Sequence, residues 1–128
     1  MQNRYLTFAA FCVALLVSGA PLLAHHGASA YDRSKPVNFK ATVTNFRWTN
    51  PHVFIFFDVK NESGGVDQWT CESINPGMMS KQGWTRNTLK VGDQVTIMGF
   101  PSRTGSHVML LDKVILADGR ELVSRLLD

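Results

Sequence analysis

Residues 46–57 read Phe46-Arg47-Trp48-Thr49-Asn50-Pro51-His52-Val53-Phe54-Ile55-Phe56-Phe57. Two aromatics, a proline turn and a histidine lead straight into the most apolar run outside the first residues of the chain. Thr49-Asn50-Pro51 has turn chemistry, because proline presets φ and asparagine can satisfy nearby backbone groups. The stretch therefore reads as the end of one strand, a turn, and a second strand from His52 to Val59. Apolar at nearly every position, that second strand is expected to be central and covered on both faces over much of its length.

Upstream, Val37, Phe39, Ala41 and Val43 alternate with Asn38, Lys40, Thr42 and Thr44, which is strand periodicity. Phe46 and Trp48 then fall in the opposite phase. One extra residue near Asn45 restores the inward face, which predicts a β-bulge in a long, bent first strand, with Trp48 as an inward plug. Downstream, Asn61 to Gly65 forms a hairpin loop, with glycines available for positive φ. A third strand follows from Val66 to Ser73, with Trp69 and Cys71 inward and Gln68, Thr70 and Glu72 outward.

Asn75 is a helix N-cap, Pro76 the first helical residue, and Gly77 to Gln82 about two turns stopped by Gly83. Met78, Met79 and Gln82 are expected to cover one barrel end, with Trp84 following. A fourth strand (Gln94 to Phe100), a polar loop (Pro101 to Ser106), a fifth strand (His107 to Leu116), an Asp118-Gly119 turn and a short sixth strand (Glu121 to Val123) complete the chain. Three strands, a helix and further strands give a mainly β fold. It is a small OB-like barrel of five to six strands with one short helix between strands 3 and 4. Another small β-sandwich or barrel is the rival. An OB barrel binds ligands on the face of strands 2 and 3, flanked by the loops joining strands 1 to 2 and 4 to 5.

The first residues have export-signal character. Arg4 supplies a positive start, and the apolar run from Leu6 to Val17 is short for a bilayer-spanning helix. Ser18-Gly19-Ala20-Pro21 breaks that run, and Ala24 offers a small residue for cleavage. Cutting after Ala20 puts Pro21 just past the bond, and cutting after Ala30 leaves an overlong stretch. Cleavage after Ala24 is expected, against the alternative of an uncleaved anchor. The chain then divides into a signal peptide (1–24), an extended arm (25–36) and the barrel domain (37–128).

Of 128 residues, 24 are removed and 104 remain, enough for one domain with a modest core. Without Arg4 the 13 basic residues fall to 12 against 10 acidic. A surface so nearly balanced argues against nucleic acid as a partner. Cys12 goes with the signal, so Cys71 is left without a cysteine to pair with. With no lipobox before the cut, a soluble periplasmic protein without stable membrane insertion is expected.

His25-His26-Gly27, Trp48-Thr49-Asn50-Pro51-His52, Gly83-Trp84-Thr85-Arg86 and Leu89-Lys90-Val91-Gly92-Asp93 together resemble a family of short exported bacterial proteins. That family is a domain of unknown function, family 6152, and the resemblance runs through essentially the whole mature chain. It implies periplasmic export and a single domain, and it implies no activity.

Four histidines, His25, His26, His52 and His107, survive cleavage. A mature start at His25 would pair its α-amine with its own imidazole as a chelate. One further imidazole would complete a brace suited to Cu(II), whose affinity for nitrogen ligands tops the divalent first-row series. His26 is an alternative, using the amine, the intervening amide and its ring. His52 and His107 close the two loops flanking the OB face, and an arm of twelve residues spans at most roughly 40 Å. Against this stands the reading of His52 as a turn residue bonded to a backbone carbonyl.

Zinc and calcium signatures are absent. Met78, Met79, Met98, Met109 and Cys71 are soft ligands better explained as core. The acids are scattered and no Gly-x-Ser-x-Gly elbow occurs, so no enzyme is expected. Trp48, Asn50, Phe54 and Trp84 are candidates for contacting a ligand on the barrel. The expected function is an exported non-enzymatic domain binding a small ligand, with copper as the cofactor the histidines suit. The alternative is a metal-free periplasmic interaction module that holds a glycan or protein partner on the barrel face.

Overall fold

The computed structural model describes residues 27–126. The signal peptide with its cleavage site, and with them His25 and His26, lie outside the described residues. Six strands and one helix follow in order: β1 (Val37–Arg47), β2 (Phe54–Lys60), β3 (Val66–Glu72), α1 (Pro76–Lys81), β4 (Gln94–Pro101), β5 (Val108–Ile115) and β6 (Glu121–Val123).

β1 pairs antiparallel with both β2 and β4, β2 with β3, and β4 with β5. β3 then runs parallel to β5 and closes the ring, so the barrel reads 1-2-3-5-4 and β6 hangs on β5 as an extra strand. This is the OB-like arrangement, with its single helix between β3 and β4. The interior is filled by alternate side chains. Val43, Ile55, Phe57, Cys71, Ile97, Met109 and Val114 are each at most 1 % exposed. Burying a large apolar side chain of this kind contributes roughly 1.5–3 kcal/mol.

The expected bulge in β1 is present. Val43 faces Phe57 and Asn45 faces Phe56, so Thr44 is the extra residue, and Phe46 and Trp48 pack against the core from the restored phase. A second bulge lies in β5. Met98 faces Lys113 and Gly99 faces Leu111, which leaves Asp112 as the extra residue.

Four expectations need correction. β2 starts at Phe54, not His52; Val53 instead exchanges backbone bonds with the end of β3, donating to Ile74 O (3.1 Å) and accepting from Ser73 N (2.9 Å). β2 is also not covered on both faces, since outward Phe54 and Phe56 remain half-exposed. The arm is not simply extended, because Ala28–Ala30 form one 3-10 turn and Tyr31 bridges to Ser102. Gln82 caps no barrel end; its amide donates to Arg125 O (2.6 Å) and accepts from Arg125 N (3.0 Å). The helix boundaries follow the capping chemistry. Asn75 accepts from Met78 N at 2.9 Å, and Gly83 stops the turn at φ +90°.

Candidate functional site

On the outside of the barrel, outward residues of β3, β5 and β4 (Glu72, Leu110 and Phe100) form the floor of a cavity of about 530 Å3. The polar arm has no core of its own, and it satisfies its backbone by folding back over the β4–β5 loop. Asp32 N donates to Pro101 O (2.8 Å) and Arg103 N to Ala30 O (3.0 Å); Arg103 Nε donates to Ser29 O (3.1 Å). Gly27, Tyr31 and Arg33 thus become one wall.

The opposite wall is Ser124, Arg125 and Leu126, held by the β5 bulge. Ser124 N donates to Asp112 O at 2.7 Å. Arg125 grips the Asp112 carboxylate through Nε (2.8 Å) and a terminal nitrogen (3.2 Å). That bidentate bond pushes the Arg125 pKa further up. Ser124 Oγ also meets the buried Ser73 Oγ at 2.5 Å.

His52 stands at one corner of this cavity with a side chain 45 % exposed. The bonds between Val53 and the end of β3 bring it against that strand, where its Nδ1 lies 2.9 Å from Ser73 O. A carbonyl can only accept, so Nδ1 carries a proton, and in the neutral ring Nε2 is the nitrogen with the lone pair. Glu72 Oε1 lies 3.5 Å from the same Nδ1, longer than a hydrogen bond. The Ser73 carbonyl is therefore the contact that sets the tautomer, and the carboxylate a nearby electrostatic support. The other carboxylate oxygen accepts from Tyr31 Oη at 2.5 Å. Burial, then this bond to Glu72, holds the Tyr31 pKa well above its ordinary value of 10.

The remaining candidates are spread over the surface and core. His107 is exposed and stacks on Trp69, with centroids 4.6 Å apart and planes at 12°. Trp69 is on the inward face of β3, beside Phe39, whereas Glu72 and His52 are on the outward side. The expected convergence of His52 and His107 is thus not found, because the strand's alternation separates them. Trp84 is 1 % exposed and donates its Nε1 proton to Val123 O (2.7 Å); it is core, not a ligand platform. Trp48 packs half-buried beside Phe46, and Asn50 is exposed in the turn.

Phe54 stands outward next to Phe56, with the Arg47 guanidinium 5.0 Å above the Phe56 ring. Among the described residues no cluster of three or more histidine, cysteine or acidic side chains could hold a metal. Sequence reasoning passed over Tyr31, Arg33, Asp112 and Arg125 as site residues, and weighed Glu72 only as a carboxylate beside Asp58 that a solvated sheet face explains as well. The one local signal was an aromatic, Tyr31, alone in an otherwise small and polar arm.

The chain belongs to the family of unknown function DUF6152, whose profile matches residues 13–111. The matched stretch contains the arm, His52 and Glu72 but stops before Asp112 and the C-terminal wall. No curated protein matches the chain.

Proposed function

We propose that this member of DUF6152 is an exported, non-enzymatic ligand-binding domain that takes a copper ion at the His52 corner of the cavity. The ligands would be His52 Nε2 and the His25-His26 stretch. One observation carries the reading: Gly27, the residue directly after His26, lines the same cavity as His52. Consecutive Cα atoms are about 3.8 Å apart, so the histidine pair is joined directly to a residue of the cavity wall. The tautomer of His52 supports it further, since a backbone carbonyl on Nδ1 orients a ligating imidazole. Nitrogen donors favour Cu(II) over the other divalent first-row ions. With a mature start at His25, the α-amine and its imidazole would add a chelate; His107, stacked on Trp69, has no part.

Metal analysis of the exported protein tests this, alongside its intact mass. Near-stoichiometric copper is expected, lost on His52→Ala and on adding one residue before His25. Copper at background level in the parent protein overturns the reading, and a mature start other than His25 removes the amine chelate. A second reading, the metal-free module for a glycan or protein partner, draws on half-exposed Phe54 and Phe56, with Arg47 above the Phe56 ring. It predicts partner binding that His52→Ala leaves intact.

A further inference from the structure

The cavity is far larger than an ion requires. Its 530 Å3 or so falls within the range typical of small-molecule sites, about 300–1,000 Å3. Its lining is mainly apolar, with the side chains of Ile74, Phe100, Leu110 and Leu126. Most of the charged groups there already have partners. Asp112 is bound on both oxygens by Arg125. Glu72 accepts from Tyr31 on one oxygen and has the His52 N–H near the other, and its side chain is only 18 % exposed.

Arg33 differs. Its guanidinium carbon lies 5.8 Å from the Phe100 ring centroid, and it has no carboxylate partner among the described residues. A cation is thus parked on an aromatic ring at the edge of an apolar hollow.

We propose that this cavity binds small monocarboxylates with an apolar body, the carboxylate on Arg33 and the hydrocarbon along Phe100 and Leu110. The planar guanidinium fork matches a carboxylate bidentately, and removing the hydrocarbon from water against the floor supplies the rest. A cationic ligand finds less to bind, since Asp112 is engaged on both carboxylate oxygens and Glu72 on one. The inference goes beyond the copper reading and shares no ligand atom with it.

Nuclear magnetic resonance titration in excess EDTA tests it, with octanoate, 1-octanol and octylamine as probes of equal chain length. Octanoate is expected to shift the amides of Leu110 and Leu111 and to bind at least several-fold more tightly than the alcohol or the amine. Arg33→Gln, a surface change that leaves the barrel folded, should weaken octanoate about tenfold, the scale of a charge-assisted pair, and erase its preference over octanol. Equal binding of octylamine or octanol, no shifts with octanoate, or parent-like affinity in Arg33→Gln overturns the proposal. Because EDTA removes metal, none of these outcomes depends on copper.

Discussion

Tyr31 and Glu72 are 41 positions apart and meet at 2.5 Å, a side-chain bond that adds to the arm's backbone bonds to Pro101 and Arg103. Tyr31 is 6 % exposed and is the only tyrosine among the described residues. Its neutral form is favoured in the folded state, because its pKa is raised by burial and by Glu72. The contribution is therefore complete below the ordinary value of 10 and declines as pH climbs from there toward the raised one. Tyr31→Phe should cost about 1.5–3 kcal/mol at neutral pH, the scale of one hydrogen bond to a charged group. It should also flatten the alkaline loss of stability seen in the parent. Denaturation midpoints from neutral pH to about 11 check both; an equally steep alkaline decline in Tyr31→Phe contradicts the assignment. Of this cluster only His52 was legible beforehand, through its position after Asn50-Pro51. Nothing in Tyr31 or Glu72 marks a partner so distant in sequence.

At the scale of elements, two bulges had different visibility. The β1 bulge could be read because Thr42 and Thr44 are polar, so the shift of Phe46 and Trp48 into the other phase stands out. In β5 the residues on both sides of the ladder are apolar: Met109 and Leu111 face in, while Leu110, Ile115 and Leu116 blur the pattern. The slip to Val114 beyond Asp112 then leaves no trace. Opposite that bulge, β4 comes so close that only glycine fits at position 99. A Cβ there would lie 2.1 Å from Leu110 O and 2.7 Å from Met109 Cε. Gly99→Ala should destabilise the barrel by about 3 kcal/mol or more, since the obstruction is backbone that must move. A chemical-denaturation midpoint equal to the parent's would contradict this. Helix α1, by contrast, was readable almost to the residue, because Asn75, Pro76 and Gly83 act through local backbone chemistry alone.

For the molecule as a whole, strand order and closure followed from the order of strands and helix along the chain, whereas the cavity did not, because its walls come from segments more than 90 residues apart (Arg33 to Ser124). The seam that closes the barrel is the parallel β3–β5 pairing, where Cys71 faces Met109. Cys71 is fully buried, and burial pushes its thiol pKa up, so the nucleophilic thiolate is both scarce and shielded. A thiol reagent should leave native protein unmodified and label it at the rate of global opening, measured against denaturant. Labelling much faster than global unfolding would mean that the β3–β5 seam opens by itself.

The two-ended construction of the cavity bears on the order of events during biosynthesis. Gly27 to Arg33 are made before the six strands of the described residues, and Ser124 to Leu126 after them; the bulge residue that anchors the latter, Asp112, is itself late. A nascent chain lacks the second wall until Ser124 to Leu126 have emerged from the ribosome, so before that point the hollow is not formed. A product truncated after β5 would keep all five strands of the closed barrel while lacking the wall that Ser124 to Leu126 supply.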